Sequence, residues 1–200
     1  LRITVLITMQ QCRAECEGFD TDICVNIPVI FNEKLYVDRR GYFSEVWNQE
    51  RRYIPDRIFQ INHSHSKKGV IRGVHWQAKP YAIGKYVTCL VGEIQDVVVD
   101  LRRRSKTYGC WKAYDLKSCK HNSTRDSLWV PEGFAHGFCT LSDMAEVMYM
   151  QNGVYNKDAD RGFRPFDPNV GIEWAIRGST ISGKDAEAPL LSEIRNSEVF

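Results

Sequence analysis

Short alternating runs dominate the chain from about residue 25 onward. Residues 24–31 are β-branched and are broken by Pro28, and residues 34–37 follow. A turn, Asp38-Arg-Arg-Gly41, leads into residues 42–47. Residues 59–63, 86–91, 94–101, 111–116, 127–130, 137–141 and 146–150 repeat the pattern. Each run is rich in β-branched or aromatic residues and is bounded by Gly, Asn, Asp or Ser. Strands at this spacing predict an antiparallel sandwich or barrel. No helical pattern of 10–15 residues falls between them, which argues against a parallel α/β sheet. Residues 48–56 are polar and predict a short helix ending at Pro55, and a second short helix is expected around residues 189–193. No internal repeat or linker divides the chain, so residues 25–200 read as one domain behind an extension, 1–24, of no assigned role.

Composition narrows the partners. The 200 residues carry 27 Lys and Arg against 25 Asp and Glu, a net charge of +2. That excludes the usual strongly basic nucleic-acid binder but leaves room for a local anion site. No run reaches the ~18 apolar residues of a membrane span. The first nine residues make a poor signal peptide, because threonines interrupt the apolar run and no small-residue cleavage site follows. The seven cysteines are scattered and odd in number. They read as reduced thiols of a cytoplasmic protein rather than a disulfide framework or a zinc site. The run Leu101-Arg-Arg-Arg-Ser-Lys106 reads as a solvated turn.

Four groups of residues carry possible chemistry. In Gly69-Val-Ile-Arg-Gly-Val-His75, with Gly84-Lys85 soon after, an arginine, a histidine and a lysine suit an anionic substrate and a proton transfer. Arg72 and His75 lie three apart and would face opposite sides of a regular strand, but the glycines permit a bulge. The bland reading is a surface arginine and a core histidine. Pro131-Glu-Gly-Phe-Ala-His136 resembles the second half of a cupin signature, delivering His136 to the start of a strand. Only His75 and His136 are evident metal ligands, short of a catalytic set. Tyr149 is a core aromatic or a proton-donating phenol, and Tyr155 is able to stack on a base. Ser182-Gly-Lys-Asp185 reads as a loop whose lysine and aspartate are solvated unless other groups recruit them.

Together these segments resemble the dTDP-4-dehydrorhamnose 3,5-epimerases, from about Val25 to Leu191. The resemblance rests on Asp38-Arg-Arg-Gly-Tyr-Phe-Ser-Glu45, Asn62-His-Ser64, Gly69-Val-Ile-Arg-Gly-Val-His75, Gly84-Lys85, Gly92-Glu-Ile-Gln-Asp96, Trp129-Val-Pro-Glu-Gly-Phe-Ala-His-Gly137, Gly171-Ile-Glu-Trp174 and Ser182-Gly-Lys-Asp185. It implies an all-β, cupin-type antiparallel jelly-roll barrel with short peripheral helices, acting as a cytoplasmic homodimer without metal or cofactor. The implied reaction is epimerisation at C3 and C5 of dTDP-4-dehydro-6-deoxy-glucose, in dTDP-rhamnose-type deoxysugar biosynthesis. His75 is then the base, oriented by Asp185, Tyr149 the acid on the opposite face, and Lys85 the cation for the enolate oxygen. Arg72 holds diphosphate, and Arg40 and Glu45 reach the nucleotide. Phe43, Gln60, Asn62, His136, Asp160 and Lys184 match further substrate contacts, and Tyr155 a base-stacking position.

The chain departs from the family pattern at Val154, at Met150 and at Arg164-Pro-Phe-Asp167. Such changes bear on which sugar is used and on whether one centre or both is inverted. The alternatives are a mono-epimerase of a related nucleotide-linked 4-keto sugar, a metal cupin using His75 and His136, and a non-catalytic sugar-binding cupin.

Overall fold

β-branched and aromatic residues pack well on a pleated surface, and here they pair into two five-stranded antiparallel sheets facing one another. The computed structural model describes residues 27–48, 50, 57–119, 123–177 and 179–200. The first sheet contains β1 (Val29–Lys34), β4 (Gln60–Lys67), β6 (Lys85–Val91), β9 (Thr124–Val130) and β11 (Met144–Gln151), in the order β1-β9-β6-β11-β4. The second contains β5 (Ile71–Gln77), β7 (Glu93–Asp100), β8 (Trp111–Lys117), β10 (Phe134–Thr140) and β12 (Asp160–Gly162), in the order β12-β5-β10-β7-β8. A separate hairpin joins β2 (Tyr36–Asp38) and β3 (Gly41–Phe43). The architecture is the cupin-type jelly roll.

Period-two alternation sends every second residue to the other side of a sheet. The inward set, including Val87, Ile94, Val98, Leu128, Phe138 and Val147, forms the core between the sheets, with Tyr149 packed against it. The outward face of the second sheet is covered by the C-terminal segment. Val74, Trp76, Val97 and Val99 pack there with Phe163, Leu191, Ile194 and Val199.

Residue 72 to residue 77 is the stretch that most shapes the interior. His75 pairs with His136, but Arg72 pairs with Phe138, so β5 spends three residues where β10 spends two. This bulge returns Arg72 and His75 to the same face, which uninterrupted alternation would forbid. Gly73 absorbs it with a φ of +111°, and a Cβ there would fall 2.6 Å from the His136 carbonyl oxygen. Only glycine combines that conformation with so close an approach.

Several expectations change. β4 runs past residue 63 to Lys67, because it pairs with β11 along its whole length. β12 is short and polar and has no strand signature; its pairing with β5 creates it. The helix expected at 189–193 is a 3₁₀ turn, Leu191–Glu193. The segment 182–185 is not a loop but the start of a one-turn helix, α1 (Gly183–Ala186), whose N-cap Ser182 accepts from the Asp185 N–H. Most of the helix expected at 48–56, and the extension 1–24, lie outside the described residues. The 102–106 run is a turn with Arg103, Arg104 and Lys106 exposed, as expected, and its half-buried Arg102 pairs with buried Asp100 at 2.7 Å. Cys89 and Cys139 are free thiols, whereas Cys110 is disulfide-bonded. The expectation of seven reduced thiols therefore fails at Cys110, since scattered spacing in the sequence says nothing about which thiols meet in space.

Candidate active site

At one end of the barrel the apolar lining gives way to titratable groups drawn from both sheets. β5 supplies His75, whose Nε2 lies 2.6 Å from Asp185 Oδ1. A carboxylate only accepts, so Nε2 carries a hydrogen, and in the neutral ring the lone pair is on Nδ1. Asp185 is buried in α1, 110 residues further along the chain. Burial alone would raise its pKa. The His75 hydrogen bond and charge and the Ser182 hydroxyl outweigh burial and hold the carboxyl below its ordinary value. Gly162 lies directly across from His75 on β12. A Cβ there would come 2.8 Å from the imidazole Cδ2, so the missing side chain makes room for the ring.

From the opposite sheet come Lys85 and Tyr149. Lys85 opens β6 and pairs with Gln151. Burial pushes its ammonium down to about 8, against the pull of Asp160 and Asp96. Tyr149 pairs with Val87 on one side and Asn62 on the other. Burial, reinforced by Asp160, raises its phenol pKa although Arg72 opposes the shift. The phenol therefore holds its proton at neutral pH. His136 Nε2 lies 2.9 Å from Asp96 Oδ2, both groups being buried. Burial raises the Asp96 pKa even with His136 and Lys85 nearby, and its second oxygen has no hydrogen-bond partner among the described residues.

A polar rim surrounds these groups. Arg72 bridges the sheets, donating from Nε to Ser66 at 2.9 Å and from Nη2 to the His65 carbonyl at 3.1 Å. Gln60 donates to Asn62, and Asn62 to Gln151. Asp160 accepts from both the Tyr155 hydroxyl, at 3.0 Å, and the Lys184 ammonium, at 2.5 Å.

His75, Asp185, Lys85, Tyr149, Arg72, His136, Gln60, Asn62, Asp160, Tyr155 and Lys184 are thus linked by strand pairing, hydrogen bonds or charge. Arg40, Phe43 and Glu45 stand on neither of the two five-stranded sheets. They lie on or just after the separate β2–β3 hairpin and are exposed, and Arg40 turns back to Asp38. Asp96 and Gly162 were missed as site residues. Asp96 was legible as a lone carboxylate on the inward stripe of β7, between Ile94 and Val98. Gly162 has no signal without the β12–β5 pairing. A partly open pocket of about 50 Å³ lies elsewhere, lined by Val98, Trp111, Lys112, Tyr114 and Phe134, and none of the proton-transfer groups lines it. No group of three His, Cys, Asp or Glu among the described residues is arranged to hold a metal ion.

The arrangement suits proton abstraction and return next to a carbonyl. It offers a base on one sheet with an orienting carboxylate from α1, a protonated phenol on the other sheet, and a half-buried cation for developing oxyanion charge.

Comparison with known proteins gives a consistent result. A family model described as dTDP-4-dehydrorhamnose 3,5-epimerase matches residues 25–193. The dTDP-4-dehydrorhamnose 3,5-epimerase of Shigella flexneri is 44% identical over 161 residues, covering 78% of this chain and 87% of the relative. The dTDP-4-dehydrorhamnose 3-epimerase of Streptomyces niveus is 39% identical over 165 residues, 80% of this chain and 77% of the relative. Among solved structures, the dTDP-6-deoxy-D-glucose-3,5-epimerase of Legionella pneumophila, crystallised with dTDP-4-keto-L-rhamnose, superposes with a TM-score of 0.80. It is 37% identical, with 86% of this chain and 92% of that one covered.

Proposed function

This chain belongs to the dTDP-4-dehydrorhamnose 3,5-epimerase family and is an isomerase, and from that premise we propose how its own residues carry the reaction. The substrate is dTDP-4-dehydro-6-deoxy-glucose, inverted at C3 and C5. The single observation that carries the reading is His75 on one sheet paired with Asp185 of α1, with Lys85 and Tyr149 supplied by the sheet opposite.

The C4 ketone acidifies the hydrogens on both neighbouring carbons. His75 Nδ1 takes one of them, the C–H electron pair moves into the enolate, and charge gathers on the ketone oxygen. The Lys85 ammonium stabilises that oxygen in a site from which water is largely excluded. Asp185 stabilises the imidazolium as it forms and holds the ring in one tautomer. Tyr149 returns a proton from the other face, and the configuration inverts. Arg72 keeps part of its guanidinium fork free for the diphosphate, His136 contacts the sugar, and Tyr155 stacks on the base. Gln60, Asn62, Asp160 and Lys184 complete the substrate contacts.

Incubation with this substrate in heavy water tests the reading. Deuterium at both C3 and C5, with inverted product, is the expected result by NMR. Label at one carbon would favour the mono-epimerase reading, which the relative from Streptomyces niveus makes concrete. Label at neither would overturn the assignment of substrate.

Lys85 gives the activity a pH limit. Its ammonium is the useful form, and the group loses its proton near pH 8. Turnover should fall as pH rises through that region. A pH–rate profile flat to pH 9.5 would remove Lys85 from the enolate-stabilising role.

Residues 25–200 are the proposed catalytic domain, and the assembly a homodimer. Arg40 and Phe43 reach substrate only if the exposed hairpin meets a second protomer, which also covers Tyr36, Val37 and Tyr42. Light scattering should give twice the 23.1 kDa of one chain, and a monomeric mass at working concentration would exclude it. A cytoplasmic location belongs to the same proposal. No described helix is long and apolar enough to cross a membrane. Cell fractionation tests the location: recovery with the cytosol is expected, and recovery in an oxidising compartment, where the Cys110 disulfide would persist, would overturn it.

A further inference from the structure

β5 ends two residues beyond His75, at Gln77, which is buried with only 4% of its surface exposed. A buried amide has to find partners for both its ends, and this one finds them on two different loops. Its Nε2 donates to the Tyr81 carbonyl at 2.6 Å and, more weakly, reaches the Val154 carbonyl at 3.5 Å. Its Oε1 accepts from the Asn156 N–H at 2.6 Å. The loop between β11 and β12 is thereby held on either side of Tyr155. The Tyr155 N–H itself is taken by Gln60 Oε1 at 2.8 Å. Polar backbone that a sheet would normally satisfy is satisfied here by two glutamine side chains. The Tyr155 ring remains half exposed, with its hydroxyl on Asp160, the direct cross-strand partner of Gln77.

We propose that Gln77 is a positioning residue for nucleotide binding: it ties the Tyr155 loop to the end of the strand that carries His75. One rigid strand then sets the base at one point and, through a buried amide two residues on, the stacking tyrosine at another. The nucleotide end of the substrate is thus registered to the reacting carbons. The proposal rests on the reading of Tyr155 as the base-stacking residue.

Loss of the amide leaves the Asn156 N–H and the Tyr81 carbonyl unpaired, and such groups recover their hydrogen bonds by opening to water. The loop, rather than the barrel, should therefore respond. The test compares wild type with Gln77→Ala, Gln77→Glu and Tyr155→Ala, using dTDP alone as the calorimetric probe and the sugar nucleotide for kinetics. Gln77→Ala should raise the Kd for dTDP and the KM about tenfold, with a much smaller change in kcat. Amide exchange at Tyr155 and Asn156 should speed up while that of β5 stays slow. Gln77→Glu keeps the acceptor for Asn156 but cannot donate to Tyr81, so its Kd should fall between the two. It also serves as the reporter if the alanine variant does not fold. A wild-type Kd in both Gln77 variants, with a weakened Tyr155→Ala, would overturn the positioning role alone. An unchanged Kd in Tyr155→Ala would overturn the stacking reading beneath it. A loss confined to kcat would also overturn the proposal, by tying Gln77 to His75 and not to the nucleotide.

Discussion

His75→Ala should lower turnover by at least about a thousandfold and abolish deuterium incorporation at both C3 and C5. A positioned general base contributes roughly 10²–10⁴-fold, and here the imidazole takes the proton and, as imidazolium, forms an ion pair with Asp185. No neighbour stands ready to replace it. His136, the cross-strand partner, has its Nε2 committed to buried Asp96. Asp185→Asn should be milder, about a hundredfold, because an amide still orients the ring but does not stabilise its charge. Binding of dTDP should be almost unchanged in both variants, since neither residue is assigned to the nucleotide. Continued label exchange in His75→Ala at a rate near wild type would sink the assignment of the base.

Tyr149→Phe separates the two halves of the reaction. The ring still fills its place beside Val87 and the inner core, so the fold should hold. Without the hydroxyl there is no acid on that face. Inverted product should fall by roughly 10²–10⁴-fold, while His75 continues to remove and return protons on its own side. The expected signature is therefore residual label in unreacted substrate without matching inversion. Equal losses of exchange and inversion would mean that Tyr149 acts before the enolate forms. The raised pKa of this phenol accords with the acid role, because burial keeps it protonated over the working range.

These two variants depend on information of different kinds. The strand runs, the turn at residues 38–41 and the Pro131–His136 segment were legible from alternation and turn chemistry, which act over a few residues. The inward place of Tyr149 follows from the same alternation, and the motif resemblance pointed to His75, Lys85 and Asp185 as one group. The Ser182-Gly-Lys-Asp185 run already had the spacing of an N-cap, serine accepting from the N–H three residues on. Four residues are too few to show helical periodicity, so by local pattern alone the run reads as a loop.

Other features were decided only by long-range pairing. β12 exists because β5 offers it an edge. The bulge that puts Arg72 and His75 on one face depends on how β5 meets β10, and Gly162 matters only because β12 lies across from His75. The state of Cys110 likewise depends on a partner that local patterning does not encode.

The sequence by itself determined the alternation of the strands, the all-β class and the set of residues able to move a proton, because these are properties of residue type and spacing. The tertiary structure alone decided which of those residues meet. Bringing Asp185 to within 2.6 Å of His75 across 110 residues, lowering Lys85 by burial and tying Tyr155 to β5 through Gln77 all require surfaces that form only when the two sheets close on each other.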